Sequence, residues 1–230
     1  MTQESPSRTI PDASLYRLSI YHCLITDWLL AGKREPITSK KLADALGLND
    51  VTVRNDLSYL DKLPGKRGVG YDPVGLRRSI SSLLGIENYV AIAVIGSIRV
   101  IDGLLSVFNA ERFGFVPAAF FSENPEDIGA ALNCQEIMPL EKIPEVLPPL
   151  GIKVAIVATH PNWVQKALEL LAEAGVRGVL NVTPMVAPEV PKGMILHQRR
   201  LPCDLKSLVF KISSVSSENG IIRDDAIDFV

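Results

Sequence analysis

A short helix followed by a basic, glycine-punctuated loop, over residues 48–71, constrains this chain more than any other stretch. Val53, Leu57 and Leu60 recur at helical spacing, which predicts a helix over Asp50–Leu60 with one buried face. The opposite face carries four polar residues, Thr52, Arg54, Asn55 and Ser58. Side chains of these types can hydrogen-bond base edges and phosphates. An amphipathic surface helix with a charged turn is the plainer interpretation of the same pattern.

The flanking segments favour the DNA-binding interpretation. The loop holds two adjacent cations, Lys66 and Arg67, between glycines that let the backbone turn sharply. Upstream, residues 37–48 form a second predicted helix with Thr38 or Ser39 at its start and Gly47 at its end. Two helices joined by a short turn and followed by a basic hairpin predict a winged helix-turn-helix.

These residues resemble the DNA-binding signature of the Rex family, which are redox-sensing transcriptional repressors. The match is carried by VRNDLSY at residues 53–59 and GKRGVGY at residues 65–71. The resemblance implies a homodimer that binds a pseudo-palindromic operator in double-stranded DNA. It also implies that the C-terminal helix, here within 201–214, is exchanged between subunits. The residues expected at the DNA are Thr52, Arg54, Asn55, Ser58, Tyr59, Lys66, Arg67 and Tyr71.

The charge is distributed unevenly along the 230 residues. Up to Gly85 there are twelve Lys and Arg against nine Asp and Glu, a net of +3, whereas the remainder carries a net of −5. The basic part contains the predicted helix-turn-helix, which fits contact with phosphates. The polar N-terminus, the absence of a membrane-length apolar run and the three widely spaced cysteines predict a cytoplasmic protein whose thiols are reduced, buried or incidental.

After Gly85 the pattern changes to alternating strands and helices. Residues 89–95 form a continuous apolar run, as expected of a buried parallel strand, and further runs of this kind alternate with helical segments. This predicts an α/β chain with an N-terminal winged-helix domain over 1–85 and a Rossmann-like parallel-sheet domain over 86–200. Residues 201–230 are assigned to a dimerisation helix and a tail, of which 216–230 has no predicted role.

The nucleotide-binding turn departs from the family pattern. A Rossmann site needs a G-x-G-x-x-G turn, but residues 96–101 read GSIRVI and keep only Gly96. Ile98 would put a branched side chain where the pyrophosphate lies, and Ser122 stands where the family has an acidic residue for the ribose, with Glu123 beside it. Arg200 stands where the family has an aspartate, so that Arg17, if it is the usual partner of that aspartate, would face a like charge. The candidate nucleotide contacts are Gly96, Ser97, Ile98, Arg99, Ser122, Asn181, Thr183 and Pro184.

Three functions remain open from the sequence. The favoured one is a Rex-like repressor whose NAD(H) sensing is lost or altered and whose sheet domain serves dimerisation. The alternatives are a sensor of another nucleotide or anionic ligand, with Arg99 and the helix N-terminus receiving the charge, and an NADH/NAD sensor with an unusual turn. An enzyme is the least favoured class, because the glycine turn, metal-ligand sets and nucleophile motifs are missing, and only His160, just past a predicted strand, is a candidate proton carrier.

Overall fold

A computed structural model describes residues 9–66, 68–184 and 188–214, and it divides the chain into two compact units between Asn88 and Tyr89. The first unit is a winged helix-turn-helix and the second is a parallel sheet with helices on its faces. The predicted α/β fold class is therefore confirmed. Arg67 and the 216–230 tail, about which the sequence raised expectations, lie outside the described residues.

The winged unit consists of four helices and a two-stranded antiparallel hairpin. Its elements are α1 (Asp12–Leu30), α2 (Ser39–Leu46), α3 (Asp50–Leu57), β1 (Gly65–Lys66), β2 (Gly70–Tyr71) and α4 (Pro73–Leu84). The Thr38 side chain accepts from the N–H of Lys41 and so caps α2, while Gly47 ends it in the left-handed conformation. One apolar core joins the helices, with Leu18, Val53 and Leu76 fully buried.

Helix α3, which carries the predicted DNA-contacting face, is shorter than predicted. It ends at Leu57 instead of Leu60, because the Ser58 hydroxyl donates to the carbonyl of Asn55 at 2.6 Å, and the N–H groups of Tyr59 and Leu60 bond three residues back in a tighter turn. Leu60 is nevertheless buried in this turn, so the predicted apolar stripe extends past the end of the helix.

The second unit is a seven-stranded sheet. Its strands are β3 (Val90–Gly96), β4 (Phe115–Ser122), β5 (Ala131–Leu132), β6 (Gln135–Pro139), β7 (Val154–Ala158), β8 (Gly178–Asn181) and β9 (Ile195–Gln198). The spatial order is β5–β6–β4–β3–β7–β8–β9, and every pairing is parallel except β5 with β6. The six parallel strands thus have the doubly wound Rossmann order, in which the direction of winding reverses between β3 and β7.

The helices of this unit are α5 (Ile98–Phe108), α6 (Ile143–Leu150), α7 (Pro161–Glu173) and α8 (Leu201–Ser214). Separate apolar clusters cover the two faces of the sheet, one beneath α5 and one beneath α6 and α7. The β5–β6 hairpin was not predicted from the sequence. By residue type, Asn162 is the expected cap of α7, but the helix is capped by His160, whose Nδ1 accepts from the N–H of Asn162.

Helix α8 differs from the other helices in its surroundings. Its large apolar side chains are mostly exposed, with Leu201 and Phe210 each at 70% of their full accessibility. The three cysteines, Cys23, Cys134 and Cys203, are free and exposed, so of the alternatives given by the sequence, reduced, buried or incidental, the buried one is wrong.

Candidate functional site

The outer face of α3 carries the polar side chains that the sequence placed there. Arg54, Asn55 and Ser58 are exposed, whereas Thr52 and Tyr59 are half-buried. The Arg54 guanidinium lies 3.1 Å from the carboxylate of Asp50, one turn earlier on the same helix. Because both side chains keep much of their exposure, this ion pair adds little stability but holds the guanidinium against the helix surface.

The inner face of α3 contains a charged group that the sequence pattern did not reveal. Asp56 is 1% exposed, and Arg17 of α1 donates to both of its oxygens at 2.7 Å. The Tyr21 hydroxyl donates to the same carboxylate, also at 2.7 Å. The hydrogen bond to Asp56 raises the pKa of Arg17, and burial raises the pKa of the Tyr21 phenol. Two residues of α1 therefore fix the rotation of α3 about its axis.

This network also changes the expectation for Arg17. The sequence suggested that Arg17 would confront Arg200 where the family pairs it with an aspartate. The structure shows the Arg17 guanidinium bound bidentately by Asp56, so its charge is compensated within its own unit. The signal that could have indicated this pair was Asp56 itself, an acidic residue between Val53 and Leu57 on an otherwise apolar stripe.

The wing is held to the helical core by its backbone. Tyr71 and Ile37 exchange two backbone hydrogen bonds at 2.7 and 2.8 Å, and the half-buried Tyr71 ring packs against the core. Gly70 lies between them at φ +113°, and a Cβ there would meet the carbonyl oxygen of Ile37 at 2.8 Å. Only glycine fits at this position, so the glycine spacing of the loop has a structural cause.

In the second unit, the predicted nucleotide contacts lie where the parallel strands β3, β4 and β8 end. Gly96 ends β3, Ser122 ends β4 and Asn181 ends β8. Ligands of doubly wound sheets bind at this carboxyl edge, next to the point where the winding reverses. A Cβ on Gly96 would meet the carbonyl oxygen of Ala158 on β7 at 2.6 Å. The close approach of β3 and β7 is therefore sufficient to explain why residue 96 is glycine, without any ligand.

A carboxylate of the chain itself occupies the start of α5. Asp127 is 6% exposed, and its Oδ2 accepts from the backbone N–H of Ile98 at 3.0 Å and from the Ser122 hydroxyl at 2.8 Å. The N–H groups at a helix N-terminus are the donors that hold a nucleotide pyrophosphate in Rossmann proteins. Here one of those donors is already bonded to a buried anion. Asp127 was not among the predicted site residues, because it lies 29 residues from Ile98 and no motif links the two.

The neighbouring positions are also used internally. Glu123, the predicted substitute for the ribose-binding acid, accepts from the backbone N–H of His160 at 3.1 Å. Asn181 is fully buried and donates from its amide to Gln198. The Thr183 hydroxyl donates to the carbonyl of Thr159 at 2.8 Å. Of the remaining candidates, Arg99 and Pro184 are exposed, and Ser97 and Ile98 are half-buried.

The described residues contain neither a metal-binding cluster nor a membrane-length helix. Within them, no three His, Cys, Asp or Glu side chains are grouped so that they could hold a metal ion. None of the helices there combines the length and apolar character that a bilayer crossing requires.

Two family models match the chain, one in each unit. Residues 9–58 match the family described as "Putative DNA-binding protein N-terminus", and residues 88–185 match the CoA binding domain family. Among whole-length relatives, the redox-sensing transcriptional repressor Rex of Carboxydothermus hydrogenoformans is 30% identical over 203 residues, which covers 88% of this chain and 96% of that protein. Rex of Desulfitobacterium hafniense is 29% identical over 205 residues, covering 89% and 96%.

Solved structures share the same fold. RSP, a Rex-family repressor, was solved in complex with beta-NAD+ and operator DNA, and it superposes with a TM-score of 0.78 at 22% identity, over 90% of this chain and 94% of that one. The RSP complex with beta-NADH gives a TM-score of 0.76 at 21% identity, over 90% and 95%. The fold, the helix–wing signature and the whole-length identity agree: the chain belongs to the Rex family of redox-sensing transcriptional repressors.

Proposed function

We propose that this protein is a homodimeric repressor that places α3 of each subunit in the major groove of a pseudo-palindromic operator, while the wings contact flanking backbone or minor groove. The observation that carries the proposal is the division of α3 into an anchored and an open face. Arg17 and Tyr21 hold the inner face through Asp56, so the exposed Arg54, Asn55 and Ser58 are presented in a fixed orientation. Thr52, Tyr59, Lys66, Arg67 and Tyr71 complete the proposed contact set.

The dimer is proposed to form through α8. Six large apolar side chains on this 14-residue helix are between 48% and 70% exposed, namely Leu201, Leu205, Leu208, Val209, Phe210 and Ile212. An apolar surface of this extent is characteristic of a protein interface. Exchange of α8 between two copies, as the family resemblance implies, would bury it. The two recognition helices of such a dimer would then meet two half-sites of the operator.

The sheet unit is proposed not to bind NAD(H) in the manner of the family. The residues present do not fit the cofactor, because Asp127 takes the Ile98 N–H that a pyrophosphate needs and would repel it as a like charge. Ile98 fills the position of the second glycine, and Ser122 supplies a hydroxyl instead of a ribose-binding carboxylate. Another anionic ligand meets the same obstacle. We further propose that the protein has no dehydrogenase activity.

Calorimetric titration of the purified protein with NADH and NAD+ tests this part of the proposal. The expected result is no saturable binding up to about 1 mM, which corresponds to a binding free energy weaker than about −4 kcal/mol. Asp127→Ala should strengthen whatever weak binding exists, whereas Glu126→Ala, which removes an exposed carboxylate next to it, should not. Micromolar affinity of the unaltered protein for NADH would contradict the proposal and restore the redox-sensor alternative.

A further inference from the structure

Two lysines converge on one tryptophan in the winged unit. The Lys41 ammonium lies 5.3 Å from the centre of a Trp28 ring and the Lys33 ammonium lies 5.9 Å from it. Both lysines are exposed. Distances below about 6 Å fall within the range in which the negative face of an indole attracts a cation.

Both lysine backbones are fixed by helix ends. Helix α1 ends at Leu30 and is followed by Gly32 at φ +76°, and the N–H of Lys33 bonds back to the carbonyl of Trp28 at 2.9 Å, as in a Schellman motif. Lys41 lies in the first turn of α2, where its N–H is held by the Thr38 hydroxyl at 3.1 Å. The indole itself packs against the core of the unit. Three separate constraints therefore hold this group, which we call the Trp28 clamp (Trp28, Lys33 and Lys41).

Among the described residues, neither lysine of the clamp forms an ion pair with a carboxylate, although Glu35 and Asp44 are close in sequence. The two like charges near one indole repel each other, and phosphates of a duplex backbone would attract each of them. The indole ring and the helix ends already restrict the two lysines. Binding a phosphate therefore costs less side-chain conformational entropy than it would with unrestrained lysines.

We propose that the Trp28 clamp is a second DNA-contact site, which grips the sugar-phosphate backbone of the duplex whose major groove receives α3. In helix-turn-helix proteins the first helix of the pair crosses the backbone beside the groove that the second helix enters, and Lys41 lies on that first helix, α2. The clamp contacts phosphate only, so it adds affinity and orientation without reading sequence. This inference rests on the proposed DNA-binding function.

The test is the salt dependence of DNA binding by the full-length protein. An operator is first selected from a random duplex library with the unaltered protein, and affinities for it and for a scrambled duplex are then measured by fluorescence anisotropy between about 50 and 200 mM salt. Lys33→Ala and Lys41→Ala should each weaken both duplexes alike, by roughly threefold to tenfold, and each should reduce the slope of log K against log salt by about 0.9. Lys41→Arg should retain the slope.

Two further variants separate the clamp from general charge effects. Trp28→Phe keeps an aromatic face and should lower affinity less than Trp28→Leu, with little change of slope in either, because both lysines remain. Lys192→Ala removes the same charge from an exposed position in the sheet unit and should leave the slope unchanged. The clamp is refuted if Lys33→Ala and Lys41→Ala keep the original slope or weaken the operator alone. Failure to select any operator would instead refute the proposed function, and the slope on scrambled duplex would still decide the clamp.

Discussion

The two units each bury one aspartate next to a surface where a family member meets its ligand, and they use it in opposite ways. In the winged unit, Asp56 is bonded by the guanidinium of Arg17 and the hydroxyl of Tyr21, both from behind the recognition helix. In the sheet unit, Asp127 is bonded by the Ser122 hydroxyl and the Ile98 N–H, and the latter is itself a potential ligand contact. The first aspartate leaves the outward groups of α3 unbonded by it, whereas the second bonds a helix N-terminal N–H.

The two aspartates differ in the groups that they bond. Asp56 is neutralised by a cation, so α3 can be anchored without using any group that DNA would contact. Among the described residues, the donors to Asp127 are neutral, so its charge stays at the helix N-terminus and opposes any further anion there. In the proposed function, the first carboxylate therefore supports a binding surface and the second occupies a position that a ligand would need.

Removing each aspartate in turn gives the largest expected effects. Asp56→Ala leaves a largely buried guanidinium and a buried phenol without their partner, and it should lower the free energy of unfolding by about 3–5 kcal/mol, toward the lower figure because Arg17 remains 19% exposed. Asp127→Ala removes the acceptor of two neutral donors and should cost only about 1–3 kcal/mol. Urea denaturation monitored by circular dichroism measures both.

The control for this pair is Asp44→Ala, which removes an exposed carboxylate from α2 and should change stability little. If Asp56→Ala and Asp127→Ala lower the free energy of unfolding equally, the comparison fails. The ion-paired aspartate of the winged unit would then stabilise its unit no more than the aspartate of the sheet unit does, which has no cationic partner among the described residues.

A smaller effect is expected at the open surface of α3. If Arg54 reads a guanine, Arg54→Ala should weaken operator binding by about 1–3 kcal/mol and relax the base preference at one position in each half-site. Lys66→Ala, a phosphate contact in the proposal, should weaken operator and scrambled duplex alike and make the salt dependence shallower. Selection from a random library followed by anisotropy separates the two. Identical losses on both duplexes for Arg54→Ala would show that this face does not read sequence.

Local periodicity and end signals in the sequence were sufficient to predict most of the secondary structure. Helix α8 has the expected bounds, 201–214, and the strand–helix alternation correctly indicated the doubly wound sheet. The polar face of α3 is likewise visible in the spacing of its residues. Local patterns did not predict bonds between distant segments. Asp56 to Arg17 spans 39 residues and Asp127 to Ile98 spans 29, and no periodicity connects them.

End signals also failed where two residues competed for one role. Either His160 or Asn162 could have capped α7 by residue type, and the extended backbone of His160 directly before Pro161 decided between them. The loss of glycines after Gly96 was visible in the sequence, but the carboxylate bonded to the Ile98 N–H was not. The sequence therefore indicated a changed glycine turn, and the structure was needed to find Asp127 at the start of α5.

The smallest expected effect concerns pH and extends the comparison to a third buried group. His22 is 4% exposed, and its Nε2 lies 2.9 Å from the Ser81 hydroxyl, which itself donates to the Arg77 carbonyl. Burial, with a smaller effect from the charge of Arg77, lowers the pKa of His22. In the unfolded chain the His22 imidazole takes up a proton with a pKa of about 6.5, whereas in the folded winged unit it stays neutral to a lower pH. The free energy of unfolding is therefore largest above pH 6.5 and decreases as the pH falls below it.

For each unit by which folding lowers the pKa of His22, the free energy of unfolding decreases by about 1.4 kcal/mol at low pH. We expect denaturation midpoints of the winged unit to decline between about pH 7 and 5.5 and to decline less in His22→Gln, whose amide can still donate to Ser81. His197→Gln, which removes an exposed imidazole from β9, should keep the decline unchanged. If the denaturation midpoint declines equally with pH in His22→Gln and in the unaltered protein, other groups cause the pH dependence. The neutral state of His22 would then contribute nothing to the stability of the winged unit, in contrast to the Asp56 network.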